Sequence, residues 1–342
     1  MNPVERFQPL LPSIEGAQTV LICSHAMPEG DCLGASLGLC LALEQLGKSV
    51  RLFNPDPVPR QCQFLDGWER FEQQLPSETF DVVFVLDCGD ITRTGPQHIG
   101  IPARGPLINI DHHGSNTHFG RLNVVDAAAS STCELIYGLL LALQVRFTRP
   151  MAEALFAGIM IDTGSFRYQN TSTWTLDVAR ALVGFGADPA RVANGLFESM
   201  SPARLLLLPR VLDTLQFAAN GQLATIYVSQ AMLDKAGAVL SDTEGFINYP
   251  RAVDGVEIAV FYKETGSELS VSMRSKQRAD IGSVARKLGG GGHRLAAAFA
   301  TSDPLAEVQA RLLPLLEQAL AEASLPIPPA NGSKVRSQPF NR

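Results

Sequence analysis

Three short apolar runs in this chain each end on an ionisable residue. Thr19 to Ser24 (TVLICS) runs straight into His25, with Glu29 and Asp31 just beyond. Asp81 to Leu86 (DVVFVL) ends on Asp87, with Asp90 following. Leu107 to Ile110 (LINI) ends on Asp111-His112-His113. Runs this short and this rich in β-branched residues read as buried strands, and Ser49 to Phe53 reads as another. Helical segments stand between them. One runs from about Leu33 and stops at Gly47; one is opened by the capping pair Ser131 and Glu134 and runs to about Leu143; one starts at Pro150 and runs to about Ile161, into Asp162-Thr163-Gly164. Strands alternating with helices predict an α/β domain whose parallel sheet is covered on both faces. Ligands of such sheets bind beyond the carboxyl ends of the strands. Three strands therefore deliver carboxylates and imidazoles to one edge, and the segment ending at Asp162 is placed to join them.

A carboxylate cluster of this density repels itself unless it is neutralised, and divalent cations do that. Imidazole with carboxylate oxygen and no thiolate suits manganese, with magnesium or cobalt as alternatives, better than structural zinc. The donors exceed what one ion needs. Two ions sharing a carboxylate, about 3.5–4 Å apart, fit the count and would activate water for attack on phosphorus. Not every polar residue belongs to the set. Asp90 and Asp126 read as caps or turn residues, and His98 and His118 as ordinary surface or core histidines.

A second composition regime begins near residue 195. Ser201-Pro202 opens an apolar helical stretch in which Pro209 is expected to kink or end the helix. Strands follow at Leu223–Val228, Val256–Lys263 and Glu268–Arg274, the last two flanking a Thr-Gly-Ser hairpin turn. A helix at Ile281–Leu288 runs into Gly289-Gly290-Gly291-Gly292-His293-Arg294, and then AAAFA reads as a buried strand. A tight glycine turn lets backbone N–H groups approach an anion, and His293, Arg294 and Arg274 would add positive charge. Residues 326–342 read as a disordered tail.

Composition narrows the partners. The net charge of −6 excludes a broad basic surface for nucleic acid, so any nucleotide contact is local. Cys23, Cys32, Cys40, Cys62, Cys88 and Cys133 lie in apolar surroundings without a Cys-x-x-Cys pair and read as buried thiols of a reducing cytoplasm. No targeting segment or membrane span is visible.

These segments together resemble the DHH phosphoesterase superfamily, in its subgroup with a C-terminal DHHA1 domain. The matching stretches are His25-Ala-Met-Pro-Glu-Gly-Asp31, Val85-Leu-Asp-Cys-Gly-Asp90, Asp111-His-His-Gly114, Asp162-Thr-Gly-Ser-Phe166, Met273-Arg-Ser-Lys276 and the GGGGHR run at 289–294. The arrangement is similar to the nanoRNase and pAp-phosphatase branch (NrnA type). It implies a parallel-sheet DHH domain at 1–195, a helical connector at 196–215 and a smaller mixed α/β DHHA1 domain at 216–325. It also implies hydrolysis of short oligonucleotides and of 3′-phosphoadenosine 5′-phosphate. His25, Glu29 and Asp87 would hold one metal; Asp31, Asp87, His112 and Asp162 would hold the other. His113 would contact the scissile phosphate and Asp111 would orient the histidines. Arg274, Gly291, Gly292, His293 and Arg294 would bind the substrate's terminal nucleotide. Two positions depart from the family pattern: Glu29 stands where Asp is usual, and Ala297-Ala298-Phe299 lacks the usual glycine before Phe. A cyclic or linear dinucleotide phosphodiesterase, or a pyrophosphatase or exopolyphosphatase on the same fold, are the alternatives. Oligomeric state is not read from the sequence.

Overall fold

The structure is a computed structural model that describes residues 4–198 and 200–323; the expected tail at 326–342 lies outside them. The chain divides into two compact units between Ser201 and Pro202.

The first unit opens with a short helix, α1 (Leu11–Gly16), and then alternates β1 (Thr19–Ser24), α2 (Gly30–Gln45), β2 (Ser49–Phe53), β3 (Phe71–Glu72), β4 (Val82–Leu86), β5 (Leu107–Asp111) and β6 (Leu122–Val125). Four helices close it: α3 (Thr132–Ala142), α4 (Arg149–Asp162), α5 (Thr173–Gly184) and α6 (Pro189–Phe197). The sheet is parallel throughout, in the order β3-β2-β1-β4-β5-β6. The chain builds outward from β1 to β3, then returns to the other side of β1 with β4. The strand order therefore reverses between β1 and β4, the place where open α/β sheets bind ligands.

Alternation along the strands fills two cores. Val20, Ile22, Val82, Phe84, Leu86, Ile108 and Ile110 join the cluster that includes the residues of α2, α3 and α4. Leu21, Cys23, Val83 and Val85 face the other way, against Phe53, Phe80 and Cys88. Both faces are covered as predicted, the second by segments around Leu75, Ile101 and Phe119 rather than by helices.

The helices on the first face pack unusually closely. Gly30, Gly34 and Gly38 recur every fourth residue and form one stripe of α2. A Cβ at Gly34 would lie 2.2 Å from the Ala154 carbonyl oxygen, one at Gly38 would lie 2.8 Å from Leu155, and one at Gly30 would lie 2.8 Å from Ile161. The contacts run antiparallel, so the start of α2 meets the end of α4. This is how Asp31 and Asp162, distant in sequence, come together.

The second unit begins with α7 (Pro202–Leu212), which carries Leu207 and Val211 into the unit's own core. It continues through β7 (Gln216–Ala218), β8 (Leu223–Val228), α8 (Gln230–Ala236), α9 (Asn248–Ala252), β9 (Ile258–Thr265), β10 (Glu268–Ser275), α10 (Ile281–Lys287), β11 (Gly291–Gly292), β12 (Ala296–Thr301) and α11 (Leu305–Ala323). The sheet runs β11-β12-β10-β9-β8-β7 and is antiparallel except between β8 and β9. Ile258, Val260 and Tyr262 face α10 and α11, while Ala259 and Phe261 face α7 and α8.

One local expectation changes and one is narrowed. Of a kink or an end at Pro209, the end does not occur: α7 continues to Leu212. A proline costs the bond to the carbonyl four residues back, here that of Leu205, and Leu205 is exposed, where water can satisfy it. The AAAFA strand is half-buried, not buried. Ala297 and Phe299 point to the core while Ala298 and Ala300 are exposed, as one face of an antiparallel sheet allows. Among the described residues no helix is long and apolar enough to cross a membrane.

Candidate metal centre

Strand register builds the site. Ser24 pairs with Leu86, and Leu86 pairs with Ile110. The next residues along are His25, Asp87 and Asp111, side by side across three neighbouring strands. The Asp87 N–H donates to the Ile110 carbonyl at 3.0 Å. Asp87 then takes a left-handed backbone, φ +56°. Aspartate tolerates that conformation better than most residues, and it turns the carboxylate out of the strand's alternation.

Asp87 lies at the middle of the donors. Its Oδ2 is 3.4 Å from His25 Nε2, and its Oδ1 is 3.5 Å from His112 Nε2 and 3.7 Å from His113 Nδ1. His112 Nε2 also lies 3.0 Å from Asp162 Oδ2 and 3.8 Å from Asp31 Oδ2. Ligand atoms of Asp31, Asp87 and His112 fall within 4.8 Å of one another, as do those of His25, Cys32 and Asp87, and those of Asp87, Asp111 and His113.

Backbone contacts orient the ligands. His25 Nδ1 donates to the Ala26 carbonyl at 2.8 Å, and His112 Nδ1 to that of Ala129 at 3.4 Å. Each ring thus turns Nε2 to the carboxylates, the arrangement by which a metal-binding histidine is usually fixed. Asp31 accepts the Thr132 and Cys133 amides at 2.7 and 2.8 Å, so its carboxylate sits on the N-terminus of α3, where negative charge is favoured. Thr132 Oγ1 donates to Asp87 Oδ1 at 3.0 Å. Asp162 closes the C-terminal turn of α4, a poor place for an anion, and His112 is its nearest compensation. His113 turns Nδ1 to Asp111 Oδ1 at 2.6 Å, and Asn116 Nδ2 holds the other Asp111 oxygen, also at 2.6 Å.

Electrostatics show a donor set that takes up protons when no ion is bound. Burial, with Asp87 and Asp162 nearby, pushes the Asp31 carboxyl well above its usual range. Burial opposes charge on His25 and His112, yet Cys32 and Asp87 around the first, and Asp162, Asp87 and Asp31 around the second, hold both well above the ordinary imidazole range. Burial also works against the Asp87 charge, but the His25 hydrogen bond and the three imidazoles keep it well below the usual carboxylate range. A divalent cation would take the place of these protons. Buried oxygen and imidazole donors converging from β1, β4, β5, α2 and α4 fit such an ion.

Not all the residues expected here converge. Glu29 is the N-cap of α2; its N–H donates to Cys32 Sγ and its carbonyl accepts from the Cys32 thiol, both at 3.4 Å. Among the described residues no three-donor group includes Glu29 or Asp162, but Asp162 lies 3.0 Å from His112 Nε2. Cys32 joins His25 and Asp87 instead, although the sequence reading expected no sulfur among the donors. Thr132 was also missed; its signal was the Ser130-Ser131-Thr132 run, of which only Ser131 was read, as a helix cap with Glu134. Asp90 caps a turn, accepting from the Thr92 N–H at 2.9 Å, and Asp126 accepts from that of Ala128 at 3.0 Å. His98 and His118 stay outside the donor groups.

In the second unit, Arg274 pairs with Ala296, whose carbonyl accepts the His293 N–H at 2.7 Å. Arg274 and the His293 turn are thus neighbours at one end of the β10–β12 pair. Gly292, at φ +131°, lets β11 approach so closely that a Cβ would lie 2.5 Å from the Ala296 carbonyl oxygen. Gly291 pairs with Ala298. The Gly289 and Gly290 amides close α10 on the Arg286 and Ala285 carbonyls, so neither is presented as an anion donor. The Arg294 guanidinium donates to the Gln277 and Arg278 carbonyls at 3.2 and 2.5 Å, which ties the loop before α10.

Comparison with known proteins adds a family. Residues 19–159 match the DHH family, N-terminal domain, and residues 220–322 match the DHHA1 domain. The bifunctional oligoribonuclease and PAP phosphatase NrnA of Thermus thermophilus is 35% identical over 92% of this chain and 93% of its own length. An exopolyphosphatase-related protein from Bacteroides fragilis superposes with a TM-score of 0.82 at 24% identity, covering 93% of this chain and 96% of that one. RecJ of Thermus thermophilus in complex with Mn2+ shares the fold at a TM-score of 0.55 and 15% identity, over 96% of this chain and 55% of that one.

Proposed function

This chain belongs to the DHH family, and from that premise we propose that it is a two-metal phosphoesterase. Its substrates are short oligonucleotides and 3′-phosphoadenosine 5′-phosphate, hydrolysed to nucleoside monophosphates. The observation that carries the reading is the convergence of buried carboxylates and imidazoles on Asp87, at the point where the strand order reverses. The Thermus thermophilus relative, similar over nearly the whole of both chains, is named for these two activities. We place the enzyme in the cytoplasm, in keeping with six cysteines that are all buried and free.

Asp31, Asp87, His112 and Asp162 would hold one divalent ion, and His25 and Asp87 the other, with Glu29 as the third donor that the family pattern suggests. With oxygen and imidazole donors alone, manganese would be the first choice for both. When bound, the ions supply Lewis-acid activation of water and stabilisation of charge on the phosphate oxygens. The protein's own groups do the rest. With Nδ1 turned to Asp111, His113 is left with Nε2 to carry a proton to the departing oxygen. Asp111, fixed by Asn116, keeps that ring in place. Thr132 and the α3 amides keep Asp87 and Asp31 from turning away. We assign recognition of the nucleoside end to the second unit, through Arg274, His293 and the Gly291–Gly292 backbone. Arg294 contributes by fixing the loop.

The test is hydrolysis of a panel with manganese present: di- to decanucleotides, 3′-phosphoadenosine 5′-phosphate, cyclic dinucleotides and pyrophosphate. Turnover of the shortest oligonucleotides and of the bisphosphate above all others is expected. Preference for pyrophosphate or for cyclic dinucleotides would overturn the assignment.

A further inference from the structure

We propose that Cys32 supplies a sulfur ligand to the ion at the His25–Asp87 position, in the place the family pattern gives to Glu29. The inference rests on the two-metal reading above and deepens it.

The geometry comes from the first turn of α2. Asp31 and Cys32 are consecutive, so their side chains leave the helix about 100° apart. Asp31 joins Asp87 and His112; Cys32 joins His25 and Asp87. One helix start thus serves both donor groups, with Asp87 common to the two. His25, Cys32 and Asp87 are 3%, 0% and 1% exposed, and their ligand atoms lie within 4.8 Å of one another. Glu29 enters no three-donor group among the described residues, and it is the Glu29 backbone, through its N–H and carbonyl, that meets the Cys32 thiol.

The chemistry balances without an oxidant. The Cys32 S–H now donates to the Glu29 carbonyl at 3.4 Å, and the Glu29 N–H donates to the sulfur, also at 3.4 Å. On coordination the S–H bond breaks, its proton leaves to solvent, and the sulfur lone pair forms the bond to the ion. The Glu29 N–H and the N-terminus of α2 remain to favour the thiolate. Sulfur also changes selectivity. A site of sulfur, imidazole and carboxylate favours cobalt or zinc, whereas the Asp31–Asp87–His112–Asp162 site offers hard oxygen and imidazole that suit manganese or magnesium. The two positions should therefore differ in the ion they prefer.

The experiment is titration of the full-length, metal-stripped protein with cobalt(II). Bound ions are counted by equilibrium dialysis, and the near-ultraviolet sulfur-to-cobalt charge-transfer band is recorded. Two ions and a band are expected for the unmodified protein. Glu29→Gln should keep the band. Cys32→Ser and Cys32→Ala should lose it and bind one of the two ions at least about tenfold more weakly, since loss of even an outer contact to a ligand commonly costs that much. Two cobalt ions without a band in the unmodified protein would overturn the proposal and leave the two-metal reading standing; this measurement needs no variant to fold. A band that survives Cys32→Ser would overturn it as well, by placing the sulfur elsewhere. Failure of the unmodified protein to bind cobalt would remove the two-metal reading, and this inference with it.

Discussion

Asp87 shows how one residue comes to control a site. Its neighbours in the sheet are set by register, its carboxylate is aimed by a left-handed backbone, and three imidazoles face it. Asp87→Asn keeps the shape and removes the charge both ions would share, so activity with manganese should fall well beyond tenfold. Retention of more than about a tenth of turnover, roughly 1.4 kcal/mol of barrier, would remove Asp87 from the shared position. Thr132→Val tests the neighbour that sequence reading missed. It deletes only the hydroxyl donor to Asp87. Manganese affinity by calorimetry should fall about tenfold with the melting temperature nearly unchanged; equal affinity would make Thr132 a helix residue only. Metal removal gives a third test. His25 and His112 have raised folded pKa values, so the stability they contribute is fully present below the unfolded value, about 6.5, and is lost as pH rises through the folded value. Asp31, a carboxyl that is also raised, acts in the same direction. Chelator-treated protein should therefore melt at a lower temperature at pH 8.5 than at pH 6.5, while saturating manganese should narrow or reverse the difference. A flat profile after metal removal would show that these groups do not couple to folding.

At the scale of elements, the strands that carry donors were legible because each is a contiguous apolar run bounded by polar residues, and their paired registers follow from nearly equal lengths. What sequence could not show was which helices touch. Asp162 was placed at the end of a helix, but its approach to Asp31 depends on the glycine stripe of α2 lying on α4. That stripe was visible as Gly30, Gly34 and Gly38 yet has no meaning until its partner is known. β3 and β6 were missed because they are short. Glu29 and Cys32 illustrate the finer limit. Which of two residues in one helical turn faces a site depends on helix phase, and α2 begins at Gly30, earlier than its apolar run suggested. The close packing makes a sharp prediction. A Cβ at Gly158 would lie 2.3 Å from Cys133 Sγ and 2.8 Å from Asp31 Oδ1. Gly158→Ala should therefore destabilise the first unit by about 1–3 kcal/mol, as overpacking does, and weaken manganese binding by moving Asp31. Gly184, with open space at its Cβ position, is the control, and Gly184→Ala should leave both unchanged or slightly raise stability. Equal behaviour of the two variants would mean that α2 and α4 do not hold the donors at a fixed spacing.

At the scale of the whole molecule, two units with separate cores divide the chemistry, and the division can be tested with substrates of different reach. Every donor group that we assign to metal lies in the first unit, and we assign the reacting phosphate to it for that reason. The second holds Arg274 and the His293 turn at one end of its sheet. We expect these to bind the terminal nucleoside. Binding energy gained there can be used at the reacting phosphate, but only by substrates that carry a nucleoside to bind. A long strand gains little more, because a chain of net charge −6 has no broad basic surface to hold the remainder. Dinucleotides to pentanucleotides should thus be cleaved faster than long RNA, the upper limit being an expectation from the family. His293→Ala separates recognition from chemistry. It should lower kcat/KM for dinucleotides and for 3′-phosphoadenosine 5′-phosphate by about tenfold or more, on the order of 1.4 kcal/mol of transition-state binding, and leave a small chromogenic phosphodiester nearly untouched. The sign of the comparison decides the matter. Equal loss on both substrates would assign His293 to the fold or to the reaction itself. Loss confined to nucleotides would establish the second unit as the part that recognises what the first unit cuts.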